Sequence, residues 1–428
     1  MVTELALYGG PPVWTAGWPR WPQLGTDTLR RVSETLQSQR WAVSGPWTGS
    51  RPVEHRLAER FAEFVGAEWC VPVDHCSSAL IAGLHALGVG PGDEVIVPGL
   101  TWVASASVIA RTGAVPVLVD IDPDTLCIDP RAAEAAITPA TVAVTAVHLY
   151  SAMADMDALR ALADRHGLAL IEDAAQSYGA GWRGAGAGSL GDFGTFSAQQ
   201  GKTLTSGEGG LFVTSDEALR AKVEMLRGDG RRYAPGPHTP GRPDLEEQSL
   251  VQGWNMHLTE MQASLLLDGL ERLPEQNRRR ALFAEQLDKE LVAEGDLEPI
   301  LPYAANDRRA YYHYAIRLRE DAFAGLGAAT VCEALSAELG YWVHTPYRPL
   351  DHHPLYDPRR FPGAASGPLA DRLDPSRFHL PAAHREAART VLFHHPMLLG
   401  GDAHREAIAE AFAKVRRLAG RLRSGETT

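Results

Sequence analysis

One lysine, Lys202, stands among small residues just after a predicted strand, where its amine could do chemistry. The stretch GTFSAQQGKTLTSGEGG covers residues 194–210, and the strand is predicted to end at Phe196. Ser197 follows at once, five residues before the lysine. An amine held over a strand end can form a Schiff base with a carbonyl group, and a neighbouring hydroxyl can donate to a phosphate. Most loop lysines are simply solvated, so this pattern alone leaves both interpretations open.

Side chains at three other places would complete such a site. Asp173 ends a buried apolar run, and its carboxylate could either cap a helix or pair with a pyridinium nitrogen. Ser77 and Ser78 open a helical stretch, where hydroxyls either cap the helix or help its free N–H groups to bind a phosphate. Trp102 follows another strand end. In chain order the set consists of two hydroxyls, an aromatic ring, an acid and a lysine. Together these side chains describe one pocket for pyridoxal 5′-phosphate (PLP).

Short apolar strands alternate with helical stretches and would position these residues. The strands are predicted at 94–97, 115–119, 142–147, 168–171, 194–196 and 211–213. Such a series is typical of a parallel sheet with helices on both faces, so the fold class is α/β. Open sheets of this kind bind ligands beyond the carboxyl ends of their strands, which is where these polar side chains fall.

The length of 428 residues favours more than one domain. A helix is predicted over 259–291, with a capping box of Thr259 and Gln262 at its start and a kink or break at Pro274. Beyond it, a strand-like run at 311–318 and a helix at 402–418 indicate a smaller α+β domain. The predicted division is a large domain with an N-terminal arm over residues 1–272 and a small C-terminal domain over 273–428.

Several other motifs are predicted to carry no separate function. The run Gly186–Gly191 fits G-x-G-x-x-G, but it does not stand between a strand and a helix, so it is interpreted as a glycine loop rather than a dinucleotide site. The pairs His352-His353 and His394-His395 lack a carboxylate or cysteine at helical spacing, so surface or interface histidines are expected and no metal site. The four cysteines are interpreted as structural thiols.

Composition restricts the class of protein further. Lys plus Arg is 41 and Asp plus Glu is 53, and the net charge of −12 argues against nucleic acid or an anionic membrane as the main partner. Only four cysteines are present, without a Cys-x-x-Cys pair, which fits a reducing cytoplasm. The N-terminus resembles no export signal, and no apolar run reaches the roughly 18 residues of a membrane span. We expect a cytoplasmic protein that is not inserted in a membrane.

Taken together, these motifs resemble the DegT/DnrJ/StrS family of PLP-dependent aminotransferases, which have the aspartate-aminotransferase fold (PLP fold type I). The resemblance extends over nearly the whole chain. It is carried by Ser44-Gly45, Val97-Pro98, Thr101-Trp102, Val147-His148-Leu149-Tyr150, Ala154-Asp155-Met156-Asp157, Glu172-Asp173-Ala174-Ala175-Gln176, Gly207-Glu208-Gly209-Gly210 and Gly253-Trp254-Asn255.

The resemblance implies a role for each matching residue. Lys202 would form the Schiff base with PLP and move the proton, Asp173 would hold the ring nitrogen, and Trp102 would stack on the ring. Gln176 would lie near the ring hydroxyl. Asn255 would reach the phosphate of the neighbouring subunit, which implies a homodimer with shared active sites. The phosphate would otherwise be held by Ser77, Ser78 and Ser197.

Three positions depart from the usual family pattern. Gln199 stands where sugar-nucleotide members usually have His, and this glutamine resembles the branch that acts on carbocyclic ketones, including the inosose aminotransferases and, with a variant of the run, the aminohydroxybenzoate synthases. Cys76-Ser77 replaces Gly-Thr, which keeps a hydroxyl. His257 replaces Arg, which leaves the handling of donor or substrate open.

The predicted activity is therefore transfer of an amino group from L-glutamine, or glutamate, to a ketone on a carbocyclic polyol. Scyllo-inosose and 2-deoxy-scyllo-inosose are the expected acceptors, as in aminocyclitol and aminoglycoside antibiotic biosynthesis. The alternatives are another cyclic ketone, valienone-like or a nucleotide keto-sugar, and an aminohydroxybenzoate-synthase-like reaction. A lyase or dehydratase is disfavoured because family members of that kind replace the lysine with histidine. A PLP-binding regulator without turnover is disfavoured by the complete set of site residues.

Overall fold

The computed structural model describes residues 4–233, 238–248, 250–293, 295–361 and 371–424. The strands are β1 (Trp69–Val73), β2 (Glu94–Pro98), β3 (Val115–Val119), β4 (Thr141–Val147), β5 (Ala169–Asp173), β6 (Gly181–Trp182), β7 (Ala185–Gly186), β8 (Phe193–Ser197), β9 (Gly210–Thr214), β10 (Arg231–Tyr233), β11 (Leu245–Glu247), β12 (Leu297–Pro299), β13 (His313–Leu318) and β14 (Thr390–His394). The α-helices are α1 (Thr28–Gln37), α2 (Val53–Val65), α3 (Cys76–Leu87), α4 (Ala104–Arg111), α5 (Pro130–Ala135), α6 (Met156–His166), α7 (Glu217–Arg227), α8 (Glu260–Val292), α9 (Ala328–Leu339), α10 (Pro381–Arg389), α11 (Asp402–Arg417) and α12 (Ala419–Ser424).

A seven-stranded sheet with the order β1-β9-β8-β5-β4-β2-β3 forms the centre of the large part of the chain. The pairs β8–β5, β5–β4, β4–β2 and β2–β3 are parallel, as the alternation of strands and helices predicts. The carboxyl ends of β2, β4, β5 and β8 therefore meet at one edge of the sheet, which confirms the α/β prediction. All six predicted strands are present, with ends that differ by one or two residues.

Two strands on one side of this sheet differ from the prediction. The run 211–213 lies in β9, which pairs antiparallel with both β1 and β8, so this strand departs from the parallel series while the sheet as a whole is mostly parallel, as predicted. The segment between β8 and β9 contains no crossover helix. The chain therefore reverses direction there, and the two strands pair antiparallel. Strand β1 was not predicted, because Pro72 interrupts its apolar run; β1 is an edge strand, where a missing N–H is tolerated.

Helix α8 connects the large sheet to the C-terminal part of the chain. Thr259 is its N-cap, and the reciprocal hydrogen bonds with Gln262 form the predicted capping box. The helix continues through Pro274 to Val292, so the alternative of a break at that proline is wrong. The predicted strand at 311–318 is β13, which pairs antiparallel with β12 and β14, and the predicted helix at 402–418 is α11.

Buried apolar side chains form two main clusters. The larger contains residues of the central sheet and of the helices that cover it, such as Phe61 and Ile171. The second contains residues of α8, β13, β14 and α11, such as Phe283, Tyr314 and Phe412, and also Leu5 from the N-terminal segment. The division at residue 272 falls within α8, and we propose it as the domain boundary. Among the described helices, none has the length and apolar character needed to cross a bilayer.

Candidate active site

A cavity of about 1070 Å³ lies at the carboxyl ends of the parallel strands. Residues from β4, β5, β8, α3 and the segment between β2 and α4 line one side of it, and residues beyond position 310 line the other. Seven of the eight predicted site residues line this cavity, namely Ser77, Ser78, Trp102, Asp173, Gln176, Ser197 and Lys202. The fold thus brings together side chains that lie 125 residues apart in the sequence, between 77 and 202.

Lys202 sits on a tight turn after β8. Its backbone N–H donates to the carbonyl of Gln199 (2.8 Å), and the Gln199 side chain accepts from Gly201 N–H (2.8 Å). The indole N–H of Trp21, from the N-terminal segment, donates to the Lys202 carbonyl (3.1 Å). The amine itself lies 4.2 Å from the centroid of the Tyr312 ring. The backbone is therefore fixed from two sides while the amine faces the cavity.

Asp173 is the last residue of β5 and is buried. Its Oδ2 accepts from Ser105 Oγ (2.7 Å), and its Oδ1 accepts from Ala175 N–H (3.2 Å). Thr101 Oγ1 lies 3.1 Å from Ser105 Oγ, so a second hydroxyl supports the first. These neutral donors hold the carboxylate in place without neutralising it, which leaves its charge available to a cationic ligand nitrogen.

The N-terminus of α3 opens at the same edge of the sheet. Its N-cap, His75, has an extended backbone, and no side chain caps the helix. The first-turn N–H groups therefore stay available, and Ser77 and Ser78 add hydroxyls beside them. Gly210 at the start of β9 keeps the backbone of His75 close, since a Cβ there would overlap it. This end of the helix can bind an anion such as a phosphate.

Trp102 and Gln176 approach the cavity from the ends of β2 and β5, and both contact Tyr347. The rings of Trp102 and Tyr347 lie 5.7 Å apart. Gln176 accepts from the backbone N–H of Tyr150 (3.0 Å) and donates to the Tyr347 hydroxyl (3.2 Å), which fixes the orientation of its amide. Trp102 keeps 47% of its surface exposed, so its ring is open to a planar ligand.

Asn255 does not lie among the residues that line the cavity. It is exposed and forms an isolated antiparallel bridge with Gly228. Nearby, burial and the charges of Arg227 and Arg231 lower the pKa of His257 to about 3. Both ring nitrogens of His257 are buried without a hydrogen-bond partner among the described residues. The role of Asn255 in a neighbouring subunit stays a prediction.

The glycine loop 186–191 binds a carboxylate of this chain. Gly191 and Leu190 donate their N–H groups to Glu172 Oε1 (both 2.6 Å), and Gly188 donates to Oε2 (2.8 Å). His148 Nε2 lies 2.9 Å from the same Oε2, and its Nδ1 accepts from Ala154 N–H (3.2 Å). The N–H groups that a dinucleotide would need are thus already used, in agreement with the interpretation of a structural loop.

The other side of the cavity consists of residues that the sequence did not indicate. They come from β13, the end of β14 and the segment after α9, and include Tyr312, His313, Trp342, His344, Tyr347 and His394. The prediction of a surface or interface position is wrong for His395, whereas His394 is half-buried and lines the cavity. His395 is fully buried, and both rings place Nε2 near the Gly201 carbonyl oxygen (3.1 and 3.0 Å). Their only sequence signal is the buried apolar run of β14, which begins at Thr390 and ends at His394.

The other histidine pair lies outside this cavity. His352 is exposed, as predicted, and its Nδ1 lies 3.1 Å from Asp351 Oδ2. His384 Nε2 approaches the same oxygen at 2.7 Å. These three ligand atoms are close enough to share an ion, although the distances are also those of ordinary hydrogen bonds. The expectation that the protein has no metal site stays a prediction.

Comparisons with known proteins agree with this geometry. A model of the DegT/DnrJ/EryC1/StrS aminotransferase family matches residues 22–391. L-glutamine:2-deoxy-scyllo-inosose aminotransferase of Streptoalloteichus tenebrarius is 50% identical over 99% of this chain and 100% of that protein. L-glutamine:scyllo-inosose aminotransferase of Streptomyces griseus is 45% identical over 97% of this chain and 98% of that protein. The crystal structure of 3-amino-5-hydroxybenzoic acid synthase superposes with a TM-score of 0.79 at 30% identity, covering 94% of this chain and 99% of that one.

Proposed function

Because the chain belongs to the DegT/DnrJ/EryC1/StrS aminotransferase family and is an aminotransferase, we propose that its cofactor is PLP. We further propose that L-glutamine is its amino donor and a ketone on a carbocyclic polyol its acceptor. The expected acceptors are 2-deoxy-scyllo-inosose and scyllo-inosose. The observation that carries the acceptor class is identity of 45–50% over nearly the full length with relatives named for these two ketones.

The donor set of the cavity fits PLP. Lys202 supplies the only lysine amine among the described lining residues, and Asp173 supplies a buried carboxylate at the end of the neighbouring parallel strand. The uncapped start of α3 supplies N–H groups for the phosphate, with the hydroxyls of Ser77, Ser78 and Ser197. When bound, PLP acts as an electron sink for bond breaking at the α-carbon of an amino acid.

The protein contributes position and proton transfer. Asp173 would hold positive charge on the ring nitrogen, and Trp102 would pack against the ring face. Lys202 Nζ accepts the α-proton of the amino donor and returns a proton to the carbon that receives the amino group. Gln176 is already oriented by Tyr150 and Tyr347, so its amide needs no rearrangement to meet the ring hydroxyl.

The test follows the visible absorbance of the purified holoenzyme. We expect L-glutamine to bleach the band of the lysine-bound cofactor and 2-deoxy-scyllo-inosose or scyllo-inosose to restore it. The variant Lys202→Ala is expected to stay folded and to lose turnover; a variant that still turned over would contradict the assignment. Bleaching without recovery would refute the inosose acceptors and favour another ring ketone. A spectrum unchanged by L-glutamine would contradict the donor half-reaction and favour a regulator that binds PLP without turnover.

A homodimer with shared active sites belongs to the same proposal. It is supported by the exposed position of Asn255 outside its own cavity. Light scattering gives the mass of the particle in solution. Mixing the inactive variants Lys202→Ala and Asn255→Ala then tests sharing, because a hybrid dimer would contain one site with neither defect. Recovery of part of the activity is expected; no recovery from a mixture shown to form hybrids would contradict shared sites.

A further inference from the structure

The cavity wall opposite the strand ends is made of histidine and aromatic rings. His313 lies with its ring centroid 5.0 Å from His344 and 5.1 Å from His394. Trp342 stacks on His344, with centroids 4.0 Å apart and an interplanar angle of 16°. All four residues line the cavity. They face the Lys202 side, where the acceptor ketone must react, so they are placed to contact the rest of the acceptor.

Hydrogen bonds to carbonyl groups fix which nitrogen of two histidines carries the proton. His394 Nε2 lies 3.1 Å from the Gly201 carbonyl oxygen, and His344 Nδ1 lies 2.8 Å from that of Thr345. A carbonyl oxygen only accepts, so each of these nitrogens bears hydrogen. Burial lowers the pKa of both rings, to about 4 for His394, so both are neutral at pH 7. The other nitrogen of each ring is therefore a hydrogen-bond acceptor.

These two acceptor nitrogens, His394 Nδ1 and His344 Nε2, have no protein partner in the part of the chain that the structure describes. His344 and His394 are half-buried, whereas His313 is buried and its Nδ1 is unpartnered among the described residues. Leaving a buried polar atom unpaired costs roughly 1–3 kcal/mol, so such atoms usually mark the place of a ligand or water. A ligand that donates several hydrogen bonds would satisfy this wall.

Trp342 adds an apolar face to the same wall. The His344 ring covers one face of the indole, yet the Trp342 residue remains 70% exposed. An aromatic face of this kind packs well against the C–H groups of a saturated ring. Alternating C–H faces and equatorial hydroxyls are what a cyclic polyol presents.

The charges of the cavity point the same way. Its fixed cations among the described lining residues are Lys202 and Arg111, and the Arg111 guanidinium stacks 5.6 Å from the centroid of the Phe361 ring. Asp173 and Glu208 line it as well. A nucleotide diphosphate brings acceptor oxygens, which the bare histidine nitrogens cannot pair with, and negative charge, which Glu208 would oppose.

We propose that His344 and His394 determine acceptor specificity by accepting hydrogen bonds from hydroxyl groups of a neutral cyclic polyol, while Trp342 packs against its ring. This inference rests on the proposed function and adds the residues that select the acceptor. The same acceptor nitrogens would disfavour an anionic nucleotide sugar.

The test compares two substitutions of His344 in the holoenzyme with 2-deoxy-scyllo-inosose as acceptor. His344→Phe keeps the ring that stacks on Trp342 but removes the acceptor nitrogen, and we expect KM for the ketone to rise about tenfold. His344→Gln carries an amide oxygen near the former Nε2 and is expected to stay within about threefold of the unsubstituted enzyme. Bleaching by L-glutamine alone is measured in all three proteins, so that a general loss of activity is distinguished from a loss confined to the ketone half-reaction.

Trp342 provides a second comparison if His344→Phe does not fold. Trp342→Ala should raise KM for the ketone about tenfold, whereas Trp342→Phe retains a ring face and should stay within about threefold. Calorimetry with scyllo-inositol and with uridine diphosphate tests the selection directly, and only the polyol is expected to bind the unsubstituted enzyme competitively with the ketone.

The results separate the two levels of the proposal. If the unsubstituted enzyme is bleached by L-glutamine but accepts neither inosose, the proposed function fails. If it turns over and His344→Phe or Trp342→Ala leaves KM unchanged, the specificity proposal is overturned. It is also overturned if His344→Gln is as impaired as His344→Phe, or if uridine diphosphate binds more tightly than the polyol.

Discussion

Replacing the buried Glu172 by glutamine should destabilise the protein more than the same substitution at an exposed glutamate would. Each oxygen of Glu172 accepts two hydrogen bonds: Oε1 from Leu190 and Gly191, and Oε2 from Gly188 and His148. Glutamine keeps one oxygen and turns the other into an NH₂ group that faces two donors. Either orientation loses two hydrogen bonds to a charged acceptor, each contributing about 1.5–3 kcal/mol, which gives a loss of about 3–6 kcal/mol in the free energy of unfolding.

The assay is thermal and urea unfolding of Glu172→Gln beside an exposed control. For a chain of 428 residues, this loss corresponds to a fall in Tm of roughly 3–7 °C. The control is Glu63→Gln, whose partner Arg60 is exposed, so its midpoint should not move. A Glu172→Gln midpoint equal to that of the control would refute the conclusion that this carboxylate holds the glycine loop. Recovery of stability on adding a dinucleotide would refute the structural interpretation of the loop.

Two further predictions concern acid sensitivity and Asp173. Burial lowers the pKa of His55 and His394 to about 4 and that of His257 to about 3, and raises that of Glu260 to about 7. Between about pH 5.5 and 4.5 the unfolded chain therefore binds nearly three protons at these histidines, against one that the native Glu260 retains. The free energy of unfolding should fall by roughly 3 kcal/mol per pH unit on acidification, and a urea midpoint that stays constant from pH 6.5 to 5 would contradict this. In Asp173→Asn the amide oxygen can accept from Ala175 N–H and the NH₂ can donate to Ser105 Oγ, so Tm should change little while turnover falls about 10²-fold or more; equal turnover would show that the charge of Asp173 is not used.

The sequence predicted one side of the cavity and not the other. Lys202, Asp173 and Trp102 were predictable because each lies at or shortly after the end of a strand of a parallel series, and the carboxyl ends of such strands meet at one edge. Their position depends on local pattern and on sheet topology alone. The antiparallel course of β9 was not predictable from its apolar run, because strand direction depends on the connection and not on the strand itself.

The opposite wall could not be predicted by the same logic, because its residues belong to elements whose contact with the large sheet depends on tertiary packing. His394 ends a strand of a different sheet, and Trp342 lies beyond α9. The clearest link between the two sides is the carbonyl oxygen of Gly201, the residue before Lys202. It accepts hydrogen bonds from His394 and His395. The lysine turn thereby sets the protonated nitrogen of His394, and with it the acceptor atom that faces the substrate. The same turn thus positions the catalytic amine and one of the groups that we infer select the ketone.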